Sequence, residues 1–234
     1  MNLKELFLRK TIPVIINSYN QKYYLKNIIE KLLSFEFKNI YVLDNLSNSE
    51  SLIDYYKELK GNKYVTVVYY GKNLGPRSFH LDGYSEIFGK IPHIYSDPDL
   101  DFDNLSNDYV GDLLDLSHKY KICKVGSALE VPIESLQKKN IELKINGAKY
   151  SISEWESQFW THQIEPNIYF APIDTTIHLF NPQYYKLGDP YITGIRVAKI
   201  GFIAKHLPWY ESDVFEENED MLMYKRTQTG WNNY

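Results

Sequence analysis

Hydrophobic and polar positions alternate between two periods along the first half of the chain. Residues 11–18 form a short apolar run that ends in Asn17-Ser18-Tyr19-Asn20, the length and β-branched content of a buried strand. Over 23–35, Leu25, Ile28, Ile29, Leu32 and Leu33 recur at helical spacing. Residues 39–43 give a second strand, closed by Asp44-Asn45-Leu46-Ser47-Asn48, and 49–60 read as a helix through Leu52, Ile53, Tyr56 and Leu59. A third strand over 65–70 leads through Gly71-Lys72-Asn73-Leu74-Gly75-Pro76-Arg77 into a further helical stretch, and 93–96 is the fourth strand. Strand alternating with helix predicts an α/β fold, with a mainly parallel central sheet, right-handed crossovers and flanking helices.

The second half is less regular. An amphipathic helix is expected over 108–120 and a strand over 124–131. Ser151-Ile-Ser-Glu154 reads as a capping box ahead of the aromatic segment 155–160. Strand-like runs follow over 167–180, broken by Pro172-Ile173-Asp174-Thr175-Thr176, and over 192–204. A terminal helix is expected over 216–226.

With 234 residues and no low-complexity linker, a single domain is expected. Net charge is −4 with acids and bases interspersed, which argues against a nucleic-acid partner, since that needs a basic stripe. The lone Cys123 sits in the apolar context Ile122-Cys-Lys-Val125. It excludes a disulfide framework and points to a core thiol and a cytoplasmic protein. Residues 1–10 carry Lys4, Glu5, Arg9 and Lys10 and lack the apolar stretch of a secretory signal. This segment is expected to pack on the domain as a helix, the other reading being peripheral contact with the inner face of a membrane through Leu3, Leu6, Phe7 and Leu8. The 21 tyrosines and four tryptophans suit sugar rings as well as a core.

The candidate chemistry gathers at strand ends. Asn20, Asp44, Asn73 with Arg77, and Asp97 with Asp99 each follow a strand, and in a parallel sheet such tips share one ligand-binding edge. The densest cluster is Asp97, Asp99, Asp101 and Asp103, alternating with Pro98, Leu100 and Phe102. Such carboxylates repel one another unless solvent, hydrogen bonds or a cation offset them. A helix–loop–helix calcium site fits poorly, because Phe102 holds its glycine position and Asp108 its last glutamate position. The stretch is therefore either the start of a turn or a divalent-metal site for a phosphorylated substrate.

The order Ile12-Pro-Val-Ile-Ile-Asn-Ser-Tyr-Asn20, Tyr41-Val-Leu-Asp-Asn-Leu-Ser47, Asn73-Leu-Gly75 and Ser96-Asp-Pro-Asp-Leu100 resembles glycosyltransferases of the GT-A fold, family 2 and its neighbours. The resemblance implies a Rossmann-like nucleotide-diphospho-sugar transferase. Residues 1–130 would form the nucleotide-sugar-binding half of one catalytic domain, and 131–234 the acceptor-binding and metal-completing half. It also implies that Asp44 binds the base or ribose, in a pocket lined by Asn17, Ser18 and Asn20. Asp97 and Asp99 match the DxD motif, with Asp99 the direct ligand of Mn²⁺ or Mg²⁺ and Asp97 on ribose or a metal-bound water. His206, followed by Leu207-Pro208-Trp209, stands where some of these enzymes complete the metal site, and an imidazole ligand favours Mn²⁺. Asp174 is the expected general base of an inverting transfer. The usual Glu-Asp pair is missing there, and Glu211, Asp213 and Glu219-Asp220 compete with it.

Arg77 and Arg196 are diphosphate candidates by guanidinium geometry. Trp155, Trp160, Trp209 and Tyr210 are acceptor candidates by stacking. The expected activity is metal-dependent transfer from a UDP-sugar to a hydroxyl of a glycan or lipid-linked saccharide, as in polysaccharide biosynthesis. The alternatives are a sugar-phosphate nucleotidyltransferase, a non-catalytic nucleotide- or saccharide-binding module, and, more remotely, an acidic calcium-binding structural domain. The first wants a glycine-rich phosphate loop, and Asn17-Ser-Tyr-Asn-Gln21 contains no glycine.

Overall fold

The four apolar runs of the first half become one parallel block. A computed structural model describes residues 1–75, 90–138, 143–145, 147–174, 176–186, 192–211 and 222. Arg77, the helical stretch after it, Asp213, Glu219-Asp220 and all of the expected terminal helix except Leu222 lie outside the described residues. Strands β1 (Val14–Ser18), β2 (Ile40–Asp44), β3 (Val65–Tyr69) and β4 (His93–Ser96) pair in parallel in the order β3-β2-β1-β4. Every residue of β1 is buried, as befits a central strand covered on both faces, and that explains its unbroken apolar run.

Helix α1 (Leu3–Thr11) precedes the sheet, and α2 (Lys22–Ser34) and α3 (Glu50–Leu59) connect its first strands. Helix α2 buries Tyr24, Leu25, Ile28, Ile29 and Leu32, whereas Leu33 is only partly covered. On α3 the buried stripe is Leu52, Tyr55, Tyr56 and Leu59. Ile53 faces solvent, because Tyr55 and not Ile53 completes the helical spacing from Leu52 to Leu59.

The remaining strands extend the same sheet. Past β4 come β11 (His178–Phe180), β6 (Lys124–Ser127), β12 (Ile195–Val197), β10 (Ile168–Phe170) and β9 (Gln163–Glu165), giving nine strands among the described residues. Only β10 and β11 run against the others, so the sheet is mainly parallel, as expected. Strand β11 is wedged between β4 and β6, and Gly126 of β6 lies opposite His178. A Cβ at Gly126 would come within 2.6 Å of both His178 Cβ and the Ile177 carbonyl. Three small additions flank the sheet: β5 (Leu100–Asp101) pairs with β13 (Lys205–His206), β7 (Leu143–Ile145) pairs with β8 (Ala148–Tyr150), and α5 (Ile152–Ser157) follows. The expected capping box starts α5: Ser151 Oγ accepts from Glu154 N (3.2 Å) and Glu154 Oε2 accepts from Ser151 N (2.7 Å).

Helix α1 packs on α4 (Tyr109–Tyr120) through charge. Glu5 and Arg9 are buried and paired at 2.7 Å. The Glu5 carboxylate accepts from Val110 N (3.0 Å) and Gly111 N (2.9 Å), two first-turn donors that α4 cannot satisfy itself. Arg9 donates onward to the carbonyls of Phe35 (3.0 Å) and Ser106. Leu3 and Phe7 of α1 face solvent, whereas Leu8 packs against the core. Among the described residues no helix is long and apolar enough to cross a membrane. Replacing Glu5 with alanine removes the carboxylate paired with Arg9 and the acceptor of both α4 donors, and a loss of about 3–5 kcal/mol is expected. Urea unfolding measures it; a loss below about 1 kcal/mol would show that the pair does not hold α1 in place.

Candidate functional site

Register brings the strand tips together. Ser18 is directly opposite Asp44, and one residue beyond the Ile16–Ser96 pair stand Asn17 and Asp97. Asn17, Ser18 and Asp44 are buried at this edge, and Asp97 is partly exposed. Tyr56 of α3 aims Asp44, donating to its Oδ1 at 2.9 Å while its hydroxyl also meets Ser18 Oγ at 2.9 Å. Burial, and then the Asp44 charge, push the Tyr56 hydroxyl well above its ordinary value, so it stays a donor. Ser47 N adds contacts to the Asp44 carboxylate at 3.2 and 3.3 Å.

Asn20 and Asn45 brace the loops of this edge. Asn20 is buried at a φ of 50°, a left-handed backbone that asparagine tolerates better than most residues. Its Oδ1 accepts from Asn48 N (2.9 Å) and Ser49 N (3.0 Å), which ties the β1–α2 loop to the β2–α3 loop. Asn45 donates to the Gly75 carbonyl (2.7 Å) and accepts from Leu74 N (2.8 Å), so the loop after β3 is drawn to the same edge.

The acidic cluster after β4 divides in two. Asp101 lies 3.3 Å from Lys31 Nζ, and Asp103 lies 2.6 Å from Lys205 Nζ. Lysine therefore offsets the outer pair. Asp99 meets a histidine instead. Pairing of β13 with β5 sets His206 opposite Leu100, Leu207 N donates to the Asp99 carbonyl (2.9 Å), and His206 Nε2 lies 3.4 Å from Asp99 Oδ2. The other carboxylate oxygen, Oδ1, is buried with no hydrogen-bond partner among the described residues. Trp209 packs edge-on against the His206 ring, with centroids 4.8 Å apart. Among the described residues no three His, Cys, Asp or Glu side chains gather around one point.

A buried arginine organises the other side. Arg196 of β12 donates from Nε to the Pro172 carbonyl (2.8 Å) and from Nη1 to Glu156 Oε2 (3.0 Å), with its guanidinium 3.8 Å from the centre of the Phe159 ring. Burial lowers its pKa from the usual arginine value, against the opposing pull of Glu156 and Asp174. Burial likewise pushes the Glu156 carboxyl up, while Arg196 and His206 pull it down. Asp174 itself is exposed, on a loop held by Arg196 at Pro172 and by Lys124, whose Nζ donates to the Ile173 carbonyl (3.3 Å).

The sequence offers Arg196 to a diphosphate; the structure buries it on Glu156 and Pro172. Glu156 is not among the residues singled out from the sequence. Its signal is a carboxylate on the apolar face of a short segment, in line with buried Ile152 and Phe159. Trp155 packs on Tyr150 and Phe159, and Trp160 on Tyr169, each remaining partly exposed. Trp209 is buried and has no free face for a sugar. Tyr210 is partly exposed and donates to Glu130 Oε1 (2.9 Å).

No protein-family model matches the chain, and no curated protein sequence matches it. Solved structures do. GalNAc-T7, crystallised with UDP, GalNAc and Mn²⁺, is similar at 13% identity and a TM-score of 0.52, covering 86% of this chain and 44% of that one. A mannosyltransferase from Pyrobaculum calidifontis, in complex with GDP-Man and Mn²⁺, matches at 12% identity and a TM-score of 0.38, over 51% of this chain and 35% of its own. A UDP-glucose pyrophosphorylase complexed with UDP-glucose matches at 14% identity and a TM-score of 0.44, over 73% of this chain and 76% of its own. This chain spans less than half the length of the GalNAc-T7 chain. At such identity what is shared is architecture, and on the GalNAc-T7 overlap the chain is built on the GT-A fold.

Proposed function

We propose that this chain is a metal-dependent glycosyltransferase that moves a sugar from a nucleoside-diphosphate donor, UDP-sugar first, to a hydroxyl of a glycan or lipid-linked saccharide. The observation that carries this reading is the meeting of Asp99 and His206 at 3.4 Å, at the sheet edge where the buried Asp44 carboxylate is aimed by Tyr56. Asp44 offers an acceptor to ribose hydroxyls or base N–H groups, with Asn17, Ser18 and Asp97 around it.

The residues present fit a divalent ion. Asp99 Oδ1 is a buried oxygen with no protein partner among the described residues, and a carboxylate beside an imidazole is a donor set for Mn²⁺ ahead of Mg²⁺. Asp99 and His206 would be the protein groups that hold such an ion. When bound, the ion supplies positive charge that holds the diphosphate and stabilises it as a leaving group.

Asp174 is the base of the proposed reaction. Exposed on its braced loop, it accepts the proton of the acceptor hydroxyl as that oxygen attacks the sugar, with inversion. Arg196 is a positioning residue, fixing Asp174 through the Pro172 carbonyl. Trp155 and Trp160 keep exposed ring area for an acceptor sugar.

Across a panel of nucleotide sugars, one donor is expected to release nucleoside diphosphate slowly in Mn²⁺ and not in EDTA. Asp99→Ala or His206→Ala should lower that rate roughly 100-fold or more. Pyrophosphate from nucleoside triphosphate and sugar phosphate would mean nucleotidyl transfer instead, and no calorimetric binding of any donor would sink the reading. With an acceptor, Asp174→Asn should reduce kcat about 10²–10⁴-fold at unchanged donor affinity. Arg196→Lys, checked for an unchanged fold by circular dichroism, should lower kcat and leave UDP affinity intact. A selective loss of UDP affinity would return Arg196 to the diphosphate.

A further inference from the structure

Tyr69 closes β3 in the same row as Ser18 and Asp44. Parallel pairing sets Tyr69 directly opposite Asp44, and Asp44 opposite Ser18. Partners in register share a face of the sheet, so the three tips stand side by side. Tyr69 is 54% exposed, a large ring left open at the edge where Asp44 is buried. Tyr56 of α3 meets it edge to face, with centroids 5.9 Å apart and planes at 84°, which holds the Tyr69 ring beside the carboxylate. Burial, and then the Asp44 charge, raise the Tyr69 hydroxyl above its ordinary value. Ring and carboxylate are therefore electrostatic neighbours.

Tyr56 also decides which oxygen of Asp44 stays open. Its proton goes to Oδ1 (2.9 Å), so in its other 2.9 Å contact Ser18 Oγ is the donor. Oδ1 accepts from Ser47 N as well, at 3.2 Å. Among the described residues Oδ2 accepts from Ser47 N alone, at 3.3 Å. A carboxylate has about four acceptor positions over its two oxygens. Oδ1 is filled, and Oδ2 has room for one more donor.

We propose that Tyr69 is the stacking platform for the donor's nucleobase, and that Tyr56, by filling Oδ1, makes Asp44 the acceptor of a single ring N–H. This rests on the transfer reading in one respect, that the donor's diphosphate sits at Asp99 and His206. In the order β3-β2-β1-β4, Asp44 stands two strands from β4, about 10 Å along the sheet edge. A nucleotide held by its diphosphate just past β4 therefore extends its base toward β2 and β3. There an exposed ring and a carboxylate lie together, the combination that reads a base by its face and by its edge. Uracil fits the single opening, with one ring N–H between two carbonyls. Guanine offers two adjacent N–H groups, which call for two open oxygens. Adenine and cytosine set a ring-nitrogen lone pair beside their amino donor, facing the carboxylate.

Calorimetry on the full chain in Mn²⁺, with UDP as the probe, tests this without any transfer step. Tyr69→Ala should weaken UDP roughly tenfold or more, and Tyr69→Phe should keep wild-type affinity, because the ring face makes the contact. Tyr56→Phe, its fold checked by circular dichroism, should weaken UDP about tenfold. Inorganic pyrophosphate lacks a base and should bind all three variants as it binds wild type. Wild type should bind UDP ahead of GDP. Undiminished UDP affinity in Tyr69→Ala or Tyr56→Phe, a matching loss of pyrophosphate, or GDP bound as tightly as UDP would each overturn the assignment and leave the transfer reading standing. The expected pattern without sugar release from any donor would uphold the base site and remove the transfer reading. No nucleotide binding at all would overturn both.

Discussion

Repulsion among the carboxylates that follow β4 is the constraint around which the candidate site is arranged. Asp97, Asp99, Asp101 and Asp103 cannot all be ionised side by side unless each is compensated. Lys31 reaches in from α2 and Lys205 from β13 to offset Asp101 and Asp103. Lys205 and His206 are consecutive on one short strand, so the pairing that delivers the lysine to the outer carboxylate also delivers the imidazole to Asp99. Neutralisation of the cluster and assembly of the Asp99–His206 pair are one structural event.

Two buried glutamate–arginine pairs hold the surroundings in place. Glu5–Arg9 fastens α1 to α4, and Glu156–Arg196 fastens α5 to the loop before Asp174. In both, the guanidinium also donates to a backbone carbonyl. Taking charges out of water is costly, and such pairs persist only where the remaining donors and acceptors are met. What they contribute is position: removing either partner leaves an uncompensated charge, so neither element can drift far from its seat.

The first half of the fold was legible because its information is local. Short apolar runs, helical spacing and polar tips each occupy a handful of residues, and parallel pairing follows from their alternation. The placement of Asp44 and Asp97 at strand ends was legible for the same reason. The inward face of α1 could not. Its four apolar residues at 3, 6, 7 and 8 equal its four charges in number, so composition does not pick the buried face, and the donors that Glu5 satisfies belong to α4, more than a hundred positions away. Glu156 was missed for a similar reason, since the worth of a carboxylate on an apolar stripe depends on the arginine facing it. Trp209 misled in the opposite sense, as its ring is consumed by packing against His206.

This contrast follows the division of labour within the site. One side rests on strand ends, where backbone register sets Ser18 opposite Asp44 and Asn17 and Asp97 one residue past the Ile16–Ser96 pair. The other side rests on loops whose positions come from long-range contacts: Arg196 to Pro172, Lys124 to Ile173, Leu207 to Asp99. Loops held this way can change sequence and length while the sheet does not. An edge built from strand ends can therefore keep its short motifs while the loops around it change. On the overlap with GalNAc-T7 it is this architecture that is shared, at 13% identity.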